Sequence, residues 1–308
     1  MTTALITHAD GLNHVTPDGH PERVARLEHL LHGLQDLDLV RVSAPEASDA
    51  DLGLCHPQRY IDRIRAAVPA SGYNQLDADT WMSPGSLLAA LRAAGGAIKA
   101  VDMVLGQEVS NAFCATRPPG HHAETETPMG FCLFGTAAIA AKHALERHGL
   151  SRVAVVDFDV HHGNGTQDLL WNEPRALFIG SHQSPLWPGS GHPDERGAHD
   201  NVVNLPLPPN SGGSEMRAAW GQKAFPRLRA FAPELLIISA GFDAHQDDPL
   251  ASLNWSVSDF RWITSELCAL AAEVCGGRVV STLEGGYDLQ GLSDGARAHV
   301  EVLMEAGA

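Results

Sequence analysis

The sequence predicts a three-layer α/β/α domain on a mainly parallel central sheet, and three observations predict it. Short apolar runs alternate with longer amphipathic stretches, the rhythm of repeated β-α units. Neither a repeat nor a low-complexity linker divides the 308 residues, so one domain over residues 1–308 is expected. Four apolar runs pass directly into loops dense with polar, chemically able residues, and in open parallel sheets ligands bind outside the carboxyl ends of the strands.

The elements follow in order. A helix is predicted after Gly19-His20, with Pro21 in its first turn, where a missing N–H has no helical partner to lose. Apolar residues at helical spacing mark Pro84–Leu105, Leu133–His148, Glu215–Arg229 and Val257–Val274. Short apolar runs predict strands at Asn111–Ala115, Arg152–Phe158, Ala176–Ile179, Leu235–Ser239 and Arg278–Leu283.

Composition narrows the function. With 44% hydrophobic residues the chain can bury a sizeable core, which excludes a disordered protein. A formal net charge of −16, spread along the sequence, argues against a nucleic-acid surface, which needs clustered cations. Acidic chains attract cationic partners instead. No apolar run approaches the roughly 20 residues that span a bilayer, and the opening MTTALITHADG lacks the basic and apolar regions of a secretory leader. Cys55, Cys114, Cys132, Cys268 and Cys275 form no C-x-x-C pair and are odd in number, so neither a disulfide framework nor a thiolate zinc site is expected. These features predict a cytoplasmic location, with a homo-oligomer left open. Seventeen histidines, nearly as many as the lysines and arginines together, hint at metal or proton chemistry.

The placement of a few of those histidines is more telling. Asp157, Asp159 and His161 stand at i, i+2 and i+4, so a strand continuing through them turns all three to one face. Three ionisable groups on one face demand a cation or a dense hydrogen-bond network. Asp159 and His161, joined by Asp243 from another strand end, could hold one metal and leave a position open for water, as catalytic zinc sites do. An Asp-His-Asp set also suits Fe²⁺, and the plainer alternative is local capping of the next helix. Tandem His121-His122, behind Pro118-Pro119-Gly120, offers two imidazoles in fixed directions. Asp157 is a candidate to fix one tautomer and Asn164 to orient the other ring, and unequal partners separate the pKa values of an acid and a base. Tyr287, after Gly285-Gly286, is either an oxyanion donor or a core tyrosine.

Together these segments resemble the zinc-dependent histone deacetylases and their bacterial class II-like and acetylpolyamine amidohydrolase relatives, on an arginase-like fold. The resemblance runs from His20 to Tyr287 through His20-Pro21-Glu22-Arg23, RPPGHHA from Arg117, Gly130-Phe131-Cys132, DFDVHHGNGT from Asp157, SAGFDA from Ser239 and LEGGY from Leu283. It implies Zn²⁺ on Asp159, His161 and Asp243, His121 paired with Asp157, His122 as general base and acid, and Tyr287 as oxyanion donor. It further implies a narrow tunnel with Gly130 and Phe131 on one wall, Trp187 opposite and Leu250 at the mouth. Arg23 is expected beneath the metal near the acid exit, and structural K⁺ on the main-chain carbonyls of Asp157, Asp159 and His161.

Three positions depart from the family pattern: Asn164 where several members carry Asp, Trp187 where Phe or Tyr is commoner, and Gly180 where many carry a serine of the K⁺ site. The implied reaction is hydrolysis of an acylated lysine side chain, with acylated polyamines as the alternative substrate. Relatives that prefer polyamines place an acidic gatekeeper at the tunnel mouth, where Leu250 stands here, although Asp77 or Asp79 could serve. An acyl-lysine binding module without chemistry is the alternative of a different class, and a binuclear arginase is disfavoured by the single metal triad.

Overall fold

The computed structural model describes residues 2–308. Its strands are β1 (Thr3–Thr7), β2 (Val40–Ser43), β3 (Asn74–Gln75), β4 (Trp81–Met82), β5 (Asn111–Cys114), β6 (Val153–Asp157), β7 (Ala176–Gln183), β8 (Val202–Leu207), β9 (Leu235–Ala240) and β10 (Val279–Leu283). Eight of them form one sheet in the order β2-β1-β5-β10-β9-β6-β7-β8, every neighbouring pair parallel. β3 and β4 make a separate antiparallel pair. The α-helices are α1 (Val24–Gly33), α2 (Asp49–Leu52), α3 (Gln58–Ala66), α4 (Ser86–Leu105), α5 (Thr136–Arg147), α6 (Asn164–Leu170), α7 (Gly213–Ala219), α8 (Phe225–Phe231), α9 (Val257–Cys275) and α10 (Leu289–Gly307).

The sheet separates two apolar cores, and the period-two alternation of its strands decides which side chain joins which. Ala4, Ile6, Ala112, Cys114, Val153 and Val155 pack with residues of α4 and α5 such as Val101 and Ile139. Their neighbours Leu5, Phe113, Ala154 and Val156 pack on the other side with Leu27 of α1, Leu267 of α9 and Val300 of α10. Because both faces are covered, the strands read as continuous apolar runs rather than alternating ones. Among the described residues, no helix is long and apolar enough to cross a membrane.

The predicted strands and helices match with small shifts at their ends, apart from two corrections. The segment Glu215–Arg229 is not one helix: a π-helical turn, Trp220–Ala224, separates α7 from α8, and Pro226 lies at the start of α8. A proline there cannot donate the N–H that a continuous α-helix would use. Pro21 is not in the first turn of α1, which starts at Val24 with Arg23 as its N-cap. The chain before it bends instead, tied down where His20 accepts through Nδ1 from the Glu22 N–H at 3.1 Å and bonds through Nε2 to the Asp79 carbonyl at 2.9 Å.

Candidate active site

The polar loops after β5, β6, β9 and β10 meet at one point. β6 ends at Asp157, and the chain then leaves the sheet, so the expected continuation of the strand through His161 is corrected to a turn. Asp157 Oδ1 accepts from the Asp159 N–H at 3.0 Å, and Asp159 Oδ1 accepts from the His161 N–H at 2.9 Å. These side-chain to backbone bonds, not a pleat, aim the side chains. Asp243 enters from the loop after β9. Its Oδ1 accepts from the Val160 N–H at 2.9 Å and its Oδ2 lies 3.1 Å from His161 Nδ1, which is 3.3 Å from Asp159 Oδ1. Gly285, after β10, donates its N–H to Asp159 Oδ2 at 2.8 Å. No larger residue fits there, because a Cβ would sit 2.2 Å from Asp243 Oδ2.

The ligand atoms of Asp159, His161 and Asp243 all lie within 4.8 Å of one another, and all three residues are buried. Among the described residues neither carboxylate bonds a lysine or arginine. Burial and the charge of Asp159 push Asp243 up to about 7. At His161 burial opposes protonation, yet bonds to Asp159 and Asp243 raise the imidazole to about 10. The cluster thus gathers two buried carboxylates against one imidazole, and this donor set fits a divalent metal.

Beside this triad the two adjacent histidines have different partners. His121 Nδ1 lies 2.9 Å from Asp157 Oδ2, and His122 Nδ1 lies 2.7 Å from Asn164 Oδ1 at the start of α6. Their ring centroids are 3.9 Å apart. Burial disfavours charge on both. At His121 the carboxylates of Asp159, Asp157 and Glu284 outweigh it and hold the imidazole well above its ordinary range. At His122 burial, reinforced by His121 and His161, drives the imidazole well below it. Tyr287 is 7% exposed, and burial, only partly offset by Arg26, holds its phenol well above the ordinary range, so it is present as an O–H donor.

A narrow cavity of about 180 Å³ opens onto these groups. Phe131, Trp187, Leu186, Leu250 and Gly130 line it with apolar surface, Asp79 adds a carboxylate, and His122, His161 and Tyr287 complete it. The Phe131 ring is 5.8 Å from Tyr287 and the Trp187 ring 4.8 Å from His122. Asp79 and Thr80 hold this wall from behind, accepting from the Gly130 N–H at 3.2 Å and the Phe131 N–H at 3.1 Å. Asp77 lines a separate cleft beside β3.

A histone deacetylase domain matches residues 20–303. The chain belongs to the histone deacetylase family. It is 42% identical to a histone deacetylase-like amidohydrolase of Pseudomonas aeruginosa, over 87% of this chain and 71% of that protein. It is 37% identical to a probable deacetylase of Archaeoglobus fulgidus, over 94% of this chain and 83% of the relative. The crystal structure of the HDA15 HD domain superposes with a TM-score of 0.93 at 32% identity, covering 99% of this chain and 88% of that one. The fold is therefore the arginase/deacetylase fold, and the protein is a hydrolase of the deacetylase type.

Within this deacetylase framework one expected site residue lies elsewhere. Arg23 is exposed at the N-cap of α1, and the arginine beneath the site is Arg26, one turn on. Arg26 is fully buried, donates to the carbonyls of Gly286 and Glu284, each at 2.6 Å, and stands 4.8 Å from the Tyr287 ring centre. Helical geometry explains the exchange, since Arg23 precedes the helix whereas Arg26 lies on its buried face with Leu27 and Leu30. Arg26 and Arg117 share the buried carboxylate of Glu22.

Sequence reasoning also missed Asp248. Its Oδ2 accepts from the Tyr287 N–H at 2.7 Å and its Oδ1 from the Leu250 N–H at 3.0 Å, so one carboxylate places residues on two sides of the cavity. The Asp-Pro pair at 248–249 was the available signal. Behind the site the His162 and His182 rings lie 4.9 Å apart, tilted by 55°. His162 bonds Ser190 and Gln167, and among the described residues neither ring nitrogen of His182 has a hydrogen-bond partner.

Proposed function

We propose that the protein hydrolyses the amide of an acylated lysine side chain, releasing a carboxylate and the free amine. The observation that carries this reading is the cavity itself: an apolar passage between Phe131 and Trp187 suits an alkyl stem, and it reaches His122, Tyr287 and His161, the last grouped with the buried carboxylates of Asp159 and Asp243. Asp159, His161 and Asp243 would hold the metal, which we take to be Zn²⁺ with Fe²⁺ as the alternative. Zn²⁺ there supplies a Lewis acid that polarises the acyl carbonyl and lowers the pKa of water toward about 7.

His122, kept neutral by burial, takes a proton from the attacking water and returns one to the departing nitrogen as the C–N bond breaks. His121, paired with Asp157, stands beside His122 with their ring centroids 3.9 Å apart. Tyr287 donates its O–H to the developing oxyanion, and losing one such donor typically costs about 10²–10³ in rate. Arg26 fixes Tyr287 from below through the Gly286 carbonyl and the ring face. We extend the proposal to K⁺ on the main-chain carbonyls of Asp157, Asp159 and His161, where Gly180, in register with Asp157, brings no hydroxyl.

Leu250 at the mouth favours acyl-lysine over acylated polyamines, because it gives a distal ammonium no counter-charge; Asp79 is the one carboxylate at the cavity that could. The buried, unpaired state of all five cysteines suits a cytoplasmic, reducing location. Comparison of kcat/KM for an acetyl-lysine peptide and N-acetylputrescine tests the substrate. The peptide is expected to be the better substrate; the reverse order overturns the choice of acyl-lysine, and absence of turnover on both overturns the hydrolytic reading in favour of a binding module.

A further inference from the structure

Asn164 is an amide where the neighbouring His121 has the carboxylate of Asp157, and an amide can face either way. Behind it stands Glu124, half-buried at a turn closed by its N–H to the Thr127 carbonyl at 3.0 Å. Glu124 Oε1 lies 2.9 Å from Asn164 Nδ2, and Met129 Sδ lies 3.3 Å from the same nitrogen. An ionised carboxylate only accepts, so the NH₂ end of Asn164 must point to Glu124. The carbonyl end must then point to His122, and because a carbonyl also only accepts, His122 Nδ1 must be the protonated ring nitrogen. In the neutral ring this leaves Nε2 with its lone pair.

We propose that Glu124 is a positioning residue: its carboxylate fixes the Asn164 amide, which selects the His122 tautomer with a proton on Nδ1 and a bare Nε2. The inference rests on the reading of His122 as the general base, since only the bare nitrogen can accept a proton. It also gives a reason why Asn serves at position 164. With Glu124 behind it, an aspartate there would bring two carboxylates to hydrogen-bond distance without a proton between them, and like charges so close disfavour one another. The neutral amide joins the carboxylate to the imidazole by donating at one end and accepting at the other.

The test is a double-mutant cycle on the full, metal-loaded chain, with Glu124→Ala, Asn164→Asp and the double variant, alongside Glu124→Gln. Glu124→Ala frees the amide to turn over, and kcat is expected to fall by about tenfold or more, the usual range for removing such a support, with KM nearly unchanged. Asn164→Asp is also slower than wild type, through repulsion from Glu124. The double variant is expected to be faster than either single one, because a carboxylate at 164 accepts from His122 whichever way it turns and no longer faces Glu124. Glu124→Gln, which keeps an acceptor oxygen, stays closer to wild type than Glu124→Ala.

Nitrogen-15 spectra of histidine-labelled protein read the tautomer without substrate. Wild type should show a pyrrole-type Nδ1 and a pyridine-type Nε2 at His122, and Glu124→Ala a mixture. A double variant no better than the single ones, or a His122 spectrum unchanged in Glu124→Ala, overturns the proposal. If wild type turns over no acyl amine, the functional reading fails, while the spectra still decide whether Glu124 sets the tautomer. Thermal melting of each variant separates these effects from a loss of fold.

Discussion

Gly130→Ala adds a single methyl group between His122 and Trp187. At this position φ is +56°, a region that costs an L side chain roughly 1–2 kcal/mol. An added Cβ would lie 2.4 Å from His122 Cδ2 and 2.6 Å from Trp187 Cη2, where carbon atoms normally meet at about 3.5–4.0 Å. The overlap is therefore about 1 Å on each side. His122 is buried and held through Nδ1 by Asn164, whereas Trp187 is 41% exposed and has room to swing outward. Neither shift is neutral, since a misplacement of about 1 Å near the chemistry can cost about 10²-fold.

We expect Gly130→Ala to lower kcat/KM on a fluorogenic acetyl-lysine peptide by about 10²-fold while lowering the melting temperature by only about 2–3 °C. Adding Trp187→Ala removes one of the two overlaps and should restore part of the loss. A single variant within about threefold of wild type would refute the reasoning, because it would mean that the passage beside His122 is wider than these contacts state.

Two further predictions concern the scaffold. Glu22→Gln leaves the buried guanidiniums of Arg26 and Arg117 without their counter-charge, a loss of about 3–5 kcal/mol that should appear in calorimetry as a melting point lower by about 5–8 °C; a negligible shift would contradict it. His299 sits among Phe113, Phe158 and Phe242, bonded to the hydroxyls of Thr264 and Ser281, and burial lowers it to about 3. Between pH 6.5 and 3 the unfolded chain therefore takes up a proton there that the folded chain refuses, so stability falls as pH falls. From pH 7 to 5 this one group removes about 2 kcal/mol. In denaturant titrations His299→Gln should be less stable at pH 7 yet lose less on acidification, and parallel pH dependences would count against the argument.

β5, β6, β7, β9 and β10 were legible because both of their faces are buried, which makes them dense apolar runs bounded by polar residues. β1, β2, β8 and α10 were not. β2 is a mostly exposed edge strand of sequence VRVS, β8 is the opposite edge and carries Pro206, and Gly291 and Gly295 dilute the helical signal of α10. In the site, the proposed metal ligands and the histidine pair stood out because each lies just past a buried strand. Arg26 and Glu124 did not, since an arginine inside an amphipathic helix and a glutamate in a turn are ordinary until the fold brings Tyr287 and Asn164 against them. The exchange of Arg23 for Arg26 shows the limit of a motif: it locates a segment, and the helical register then decides which residue faces inward.

The most direct measurement is turnover of an acetyl-lysine peptide by metal-stripped protein titrated with Zn²⁺, with His122→Ala carried through the same titration and its metal content determined. The account predicts that stripped wild type is inactive and regains full turnover near a single equivalent of Zn²⁺, while His122→Ala takes up the metal equally well and stays inactive, since His122 handles protons and is not a ligand. Turnover that survives metal removal, or His122→Ala as active as wild type once loaded, would contradict it.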